Sequence, residues 1–154
     1  MISKGQLHAL CFLLALLLGH ARAADLRFMA CEIYINPNGQ PLAAYQLEIT
    51  ASRGTKIVSI EGGDHPEFRK APYYDPKAIQ SERLKAAAFT TQTENLPTNN
   101  TRVLTLHVQT TEDSPTFKTT LKLAATPDRQ KIPNAQATLL QKNGIVYLKS
   151  PDPQ

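Results

Sequence analysis

The side chains best suited to chemistry in this sequence are concentrated in one segment, residues 64–82. Its candidate binding residues are two aspartates, a histidine, an arginine and three aromatic residues: Asp64, His65, Phe68, Arg69, Tyr73, Tyr74 and Asp75. A tyrosine ring offers a flat apolar face and a hydroxyl, which suit stacking on a sugar ring or anchoring a protein interface. We therefore expect a binding site here, with Phe68 as the ring most suited to burial. The alternative is that the aromatic side chains turn inward and close one end of the fold.

Catalysis would require a nucleophile beside a base, or paired carboxylates in a cleft. Beyond residue 23 the histidines are His65 and His107, and His107 falls on the polar side of a predicted strand. The sequence has no Gly-x-Ser-x-Gly, no His-Glu-x-x-His and no glycine-rich phosphate loop. We predict that the protein is not an enzyme.

Metal binding would also have to use residues 64–82. The carboxylates of Asp64, Glu67 and Asp75 could offer oxygen ligands to calcium, but their spacing matches no calcium-loop motif. His65 alone does not make a zinc site. We predict no metal and no other cofactor, with calcium as the alternative.

The elements that position this segment are predicted to be strands, because apolar and polar residues alternate through most of the chain. The inward faces of the first two strands are Met29, Cys31, Ile33 and Ile35, and then Tyr45, Leu47 and Ile49. A later strand places Phe117, Thr119, Leu121 and Leu123 on one face. About eight short strands without a long amphipathic helix predict an all-β fold, an antiparallel β-sandwich. A closed barrel is the alternative.

Three local signals refine this prediction. Asp75 followed by Pro76 predicts an N-cap and one helical turn. The alanines at positions 86–88 predict close packing against a bulky neighbour. Asn143-Gly144, between two apolar alternations, predicts a β-hairpin with strands at 135–141 and 145–149.

The beginning of the chain has the pattern of a signal peptide over residues 1–23. Lys4 precedes an apolar run from Leu10 to Leu18, and Ala21-Arg22-Ala23 has the form of a cleavage site. The run is too short to span a bilayer, and no second long run follows, so we expect no membrane span and a secreted or periplasmic product. We expect residues 24–150 to form one β-sandwich domain and residues 151–154 to be a flexible tail.

Charge and cysteine content exclude other classes of protein. Removal of residues 1–23 takes away two of the 17 basic residues and none of the 13 acidic ones, which leaves a net charge of +2. The chain has no cluster of lysine and arginine, so we expect no nucleic-acid partner. Cys31 is then the one remaining cysteine, and we expect it to be a buried thiol within a strand.

The succession of strands resembles a cohesin-type domain. The resemblance lies in residues 33–37, 43–49, 57–61 and 86–89, and in Leu96-Pro97 leading to residues 103–108. It implies a jelly-roll β-sandwich related to carbohydrate-binding modules, from a family that supplies one half of extracellular cohesin–dockerin pairs. Residues 64–82 are longer and more aromatic than the family pattern, and Ala51-Ser52-Arg53-Gly54-Thr55 departs from it. The resemblance therefore implies a fold and no particular binding residues.

Two functional hypotheses follow. The first is an exported, non-catalytic binding module that recognises a protein partner or a glycan through residues 64–82 and the adjoining sheet face. The second is a structural or assembly protein of the cell envelope, whose edge strands pair with other subunits.

Overall fold

The structure, a computed structural model, describes residues 26–147, in which eight strands form two four-stranded antiparallel sheets. The strands are β1 (Arg27–Asn36), β2 (Ala44–Ala51), β3 (Thr55–Gly62), β4 (Tyr73–Tyr74), β5 (Arg83–Phe89), β6 (Thr101–Thr110), β7 (Phe117–Ala125) and β8 (Gln136–Tyr147). One-turn 3-10 helices at Pro66–Phe68 and Pro76–Ala78 flank β4. In this part of the chain, no helix is long and apolar enough to cross a membrane. The predicted signal peptide (1–23) and tail (151–154) lie outside the described residues.

The strand order defines two sheets, each with its own outer face. The first sheet has the order β3-β6-β1-β8, and the second has the order β4-β5-β2-β7. Because the described strands divide between two separate sheets, the predicted antiparallel β-sandwich is confirmed and the closed barrel is wrong.

The core lies between the sheets and follows the predicted alternation. Each side contributes apolar residues that are fully buried: Cys31, Ile33, Ile35, Ile57, Leu104, Leu106 and Val108 from the first sheet, and Leu47, Ile49 and Leu84 from the second. Tyr45 is also buried, and its hydroxyl donates a hydrogen bond to the carbonyl oxygen of Val103 at 3.2 Å. The Tyr45 hydroxyl is thus satisfied by backbone of the opposite sheet, as a buried polar group must be.

Irregular pairing in β7 corrects one predicted face. Gln46 pairs with Leu123 and Leu47 pairs with Leu121, so Lys122 is an extra residue in β7, a β-bulge. A bulge reverses the side on which the following residues point. Leu121 therefore faces inward and Leu123 faces solvent, and the prediction that they share a face is wrong.

The predicted hairpin at Asn143-Gly144 is also wrong. Residues 136–147 form the single strand β8, which pairs with β1 from Asn36↔Gln136 to Arg27↔Tyr147. The register shifts between Phe28 and Ala30, where residues 143–145 lie opposite Met29. Because β8 pairs with β1 on both sides of Asn143-Gly144, these two residues belong to a β-bulge and not to a turn.

Candidate functional site

Two glycines join β3 to residues 64–82. A Cβ atom on Gly62 would overlap the carbonyl oxygen of Arg69, and one on Gly63 would overlap that of Arg102. Gly63 N–H donates to the carbonyl of Phe68 at 2.7 Å, and Asp64 N–H donates to the carbonyl of Arg102 at 3.1 Å. The segment therefore begins with backbone packed directly against backbone.

Phe68 fixes the first half of this segment to the core. Its ring is 2% exposed and meets the ring of Tyr45 edge to face, with centroids 5.4 Å apart. The imidazole of His65 is tilted 49° to the Phe68 ring, with centroids 6.3 Å apart, and its Nδ1 accepts a hydrogen bond from Glu67 N–H at 3.3 Å. The prediction that Phe68 is buried is confirmed.

The charged residues of the segment hold local structure. Asp64 forms an ion pair with Arg102 of β6. Asp75 accepts from Lys77 N–H at 3.0 Å and caps the one-turn helix that begins at Pro76, as predicted. Arg69 is exposed and ends the first one-turn helix.

Tyr73 and Tyr74 point to opposite faces of the second sheet, because they are successive residues of β4. This short edge strand lies within the segment predicted to be a loop. Tyr74 pairs with Ala86, is half-buried and packs against the core. Tyr73 pairs with Ala87 on the outer face and is 71% exposed. The two tyrosines thus lie opposite alanines of β5, which confirms the predicted packing against bulky neighbours.

Tyr73 has an aromatic partner outside the predicted segment. Its ring stacks on that of Phe89, with centroids 5.9 Å apart and planes 17° from parallel, and Phe89 is 63% exposed. Leu123 is exposed on the same outer face. Because contiguous exposed apolar patches are commonly interaction sites, these three side chains make this face a candidate binding surface.

Register places these residues in adjacent rows across the second sheet. Tyr73, Ala87, Gln46 and Leu123 form one row, and Phe89, Ala44 and Ala125 form the next. We call Tyr73, Phe89, Ala87, Ala44 and Leu123 the apolar strip.

The other end of the same face is basic. Arg83, Thr50 and Lys118 form one row, and Lys85, Glu48 and Thr120 form the row between it and the apolar strip. Lys122, at the bulge, reaches the Glu48 carboxylate with Nζ 3.5 Å from Oε2. We call Arg83, Lys85, Lys118 and Lys122 the basic strip.

Glu48 is the acid among these basic residues. Desolvation alone would raise its pKa, but the hydrogen bond from Arg83 and the charges of Arg83 and Lys122 outweigh that effect. The pKa of Glu48 therefore lies below its ordinary value, and the carboxylate is ionised at neutral pH.

A groove continues the apolar strip beyond the end of β5. It has a volume of about 530 Å³ and is lined by Ala44, Phe89, Leu123, Pro127 and Arg129, among others. Arg129 is exposed, and no ion pair is recorded for it among the described residues. The groove thus has apolar side chains and threonine hydroxyls along its walls, with the cation of Arg129 beside them.

The outer face of the first sheet has a different character. Glu32 accepts a hydrogen bond from the Tyr34 hydroxyl at 2.8 Å and forms ion pairs with Arg102 and Lys142. Desolvation would raise the pKa of Glu32, but these donors and cations outweigh it and lower the pKa below its ordinary value. His107 Nε2 lies 3.2 Å from the Glu61 carboxylate.

Cys31 lies in β1 and is fully buried, as predicted. Burial raises the pKa of its thiol to about 12, so the reactive thiolate is not formed at neutral pH. Within residues 26–147, no three side chains of His, Cys, Asp or Glu come together in a group that could hold a metal ion.

Sequence reasoning named only Tyr73 among the five members of the apolar strip, and the large side chains that it missed are Phe89 and Leu123. Phe89 follows Lys85 and Ala87 on the outward side of β5, so the alternation indicated its exposure, although nothing in the sequence indicated its contact with Tyr73. Leu123 could not be found from the alternation, because the bulge at Lys122 reverses it.

Comparisons with known proteins give a structural likeness. No family model and no curated protein matches the sequence. Among solved structures, the chain is similar to a non-cellulosomal cohesin from the hyperthermophilic archaeon Archaeoglobus fulgidus, with a TM-score of 0.52 and 10% sequence identity. The match covers 68% of this chain and 72% of the archaeal one. The chain thus has a cohesin-like β-sandwich fold, in agreement with the resemblance in its strand sequence.

Proposed function

We propose that the protein is a non-catalytic binding module that takes a protein partner on the outer face of its second sheet. The observation that carries this proposal is the stacked pair Tyr73–Phe89, whose rings are 71% and 63% exposed. An ordered aromatic pair loses little conformational freedom on binding, and aromatic residues are enriched among those that dominate binding energy. Residues 64–82 contribute Tyr73 to this face, whereas Asp64, His65, Phe68 and Asp75 support the segment from within.

The fold supports a protein partner in preference to a glycan. The structural neighbour is itself a cohesin, although the likeness shows the fold alone.

Export remains part of the proposal on the strength of residues 1–23, whose pattern is that of a signal peptide. The partner would then be met in the periplasm or outside the cell. We also retain the proposal that the module works without catalysis and without a cofactor.

Differential capture tests the proposed surface. The chain is immobilised as wild type, as the double variant Tyr73→Ala/Phe89→Ala, and as Leu140→Ala, and retained proteins from the source organism are quantified by mass spectrometry. Leu140 is a matched control because it is a 49% exposed apolar residue on the other sheet.

We expect one or a few proteins to be retained by the wild type and by Leu140→Ala. The double variant should lose them by about thirtyfold or more, the effect of removing a residue that dominates an interface. Equal retention by the double variant would contradict the proposal, and binding to a glycan array that depends on Tyr73 and Phe89 would redirect it to carbohydrate.

One observation favours the second candidate, assembly through edge strands. β8 pairs with β1 on one side only, and it carries the exposed Leu140. An edge strand with exposed apolar residues is a template for pairing with another chain. Native mass spectrometry over a range of concentrations decides: a strict monomer speaks against assembly, and an oligomer abolished by Leu140→Lys supports it.

A further inference from the structure

The outer face of the second sheet combines an apolar strip with an excess of positive charge. Among the outward residues of β2, β5 and β7 there are four cations, Arg83, Lys85, Lys118 and Lys122, and a single acid, Glu48. Such a face attracts negatively charged groups and repels positive ones.

Some of these cations form ion pairs within the protein. Glu48 is shared by Arg83 and Lys122. Within the described residues no ion pair is recorded for Lys85 or Lys118, although Lys85 is the cross-strand neighbour of Glu48. The nearby acid Glu82 is turned toward the β2–β3 turn, where its carboxylate accepts from Gly54 N–H at 3.0 Å. Lys85 and Lys118 are therefore available to an external acid.

A further cation, Arg129, lies at the opposite end of the apolar strip. Arg129 stands at the rim of the groove whose walls include Phe89 and Leu123. The neighbouring acid Asp128 accepts a hydrogen bond from the Thr126 hydroxyl. Along this face, a cationic end, an apolar centre and a second cationic end follow one another.

We propose that the partner presents an acidic protein segment, in which an apolar side chain is flanked on both sides by carboxylates. The apolar side chain packs on Tyr73, Phe89 and Leu123, while the flanking acids meet Lys85 and Lys118 at one end and Arg129 at the other. This inference rests on the proposed function, because it specifies the chemistry of the partner for the same face. The charges orient the segment and speed its association, whereas the apolar contact supplies most of the affinity.

A random peptide library displayed on phage provides the probe, since the natural partner is unidentified. It is selected in parallel on wild type, on Tyr73→Ala/Phe89→Ala and on the charge reversal Lys85→Glu/Lys118→Glu. The control is Lys56→Glu, which reverses the charge of an exposed lysine in β3, on the other sheet. Circular dichroism and thermal melting establish that each variant is folded.

We expect peptides selected on the wild type to have leucine or an aromatic residue flanked by Asp and Glu. On Lys85→Glu/Lys118→Glu the acidic preference on one flank should be lost, and affinity for individual acidic peptides should fall by about tenfold. The control reversal should leave both unchanged. Higher ionic strength should weaken binding of the wild type more than that of the Lys85/Lys118 variant.

The possible outcomes distinguish this inference from the proposed function on which it rests. Selection that depends on Tyr73 and Phe89 but shows no acidic preference overturns the inference and leaves the proposed function standing. No selection above an unrelated protein, or selection indifferent to Tyr73 and Phe89, overturns both. A further outcome is that the immobilised chain retains alginate and no peptide. If that retention depended on Tyr73 and Lys118, the partner would be an anionic glycan and the proposed acidic protein segment would be overturned.

Discussion

The two outer faces of this sandwich are built on the same scaffold but use their side chains in opposite ways. On the first sheet, the charges of Glu32, Arg102 and Lys142 satisfy one another. On the second sheet, Tyr73 and Phe89 are exposed, and basic residues outnumber the one acid. Charges that pair within the protein stabilise the fold, whereas exposed aromatic rings and excess basic residues are available to a partner.

The largest expected effect is on stability and comes from Phe68, which anchors the segment that carries Tyr73. Phe68→Ala leaves a cavity beside Tyr45, and we expect the free energy of unfolding to fall by about 3–5 kcal/mol. Chemical denaturation measures this loss. Phe68→Leu, which keeps most of the volume, should lose much less, and a loss below about 1 kcal/mol for Phe68→Ala would show that this contact does not hold the segment.

An intermediate effect is expected on the first sheet. Glu32→Gln removes the carboxylate shared by Arg102 and Lys142, and we expect a loss of about 1–2 kcal/mol at neutral pH, since both cations keep only an amide oxygen. Thermal or denaturant unfolding at pH 7 measures it. Glu94→Gln, at an exposed acid without a recorded ion pair in the described region, is the control and should change little.

The same substitution makes a prediction about pH. The folded pKa of Glu32 lies below its ordinary value of 4.5, so its contribution is complete above that value and is lost as the pH falls through the lowered pKa. Below pH 4.5 the wild type should therefore lose stability more steeply than Glu32→Gln. Parallel curves would show that the Glu32 network contributes no pH-dependent stability.

The smallest expected effect on stability belongs to the second sheet. Because both rings are mainly exposed, Tyr73→Ala/Phe89→Ala should cost only about 1 kcal/mol, most of it the stacking of the pair. The melting temperature of the double variant measures this cost. A loss as large as that of Phe68→Ala would mean that the pair holds the fold together, and the contrast between the faces would disappear.

Much of the fold could be predicted because alternation in a strand reports burial directly. Cys31, Ile33 and Ile35, with Tyr45 and Leu47, face the core as expected, and Asp75 caps the helical turn that it was predicted to cap. Such features depend on residues that are close in sequence, so a short stretch of sequence is enough to predict them.

The remainder depends on partners distant in sequence. Asn143-Gly144 has the composition of a turn, but pairing with β1 carries β8 straight through it. The stacking of Tyr73 on Phe89 requires β4 to lie beside β5, and the exposure of Leu123 requires an extra residue in β7. The candidate site was therefore found only in part, through Tyr73.

The bulge at Lys122 also allows the length of β7 to vary without altering the surface. Deleting that one residue would restore regular pairing with β2, and it would leave Leu123 facing solvent opposite Gln46 and Ala124 facing the interior opposite Tyr45. Among proteins with this fold, a difference of one residue in strand length at this position should therefore leave the interaction surface unchanged.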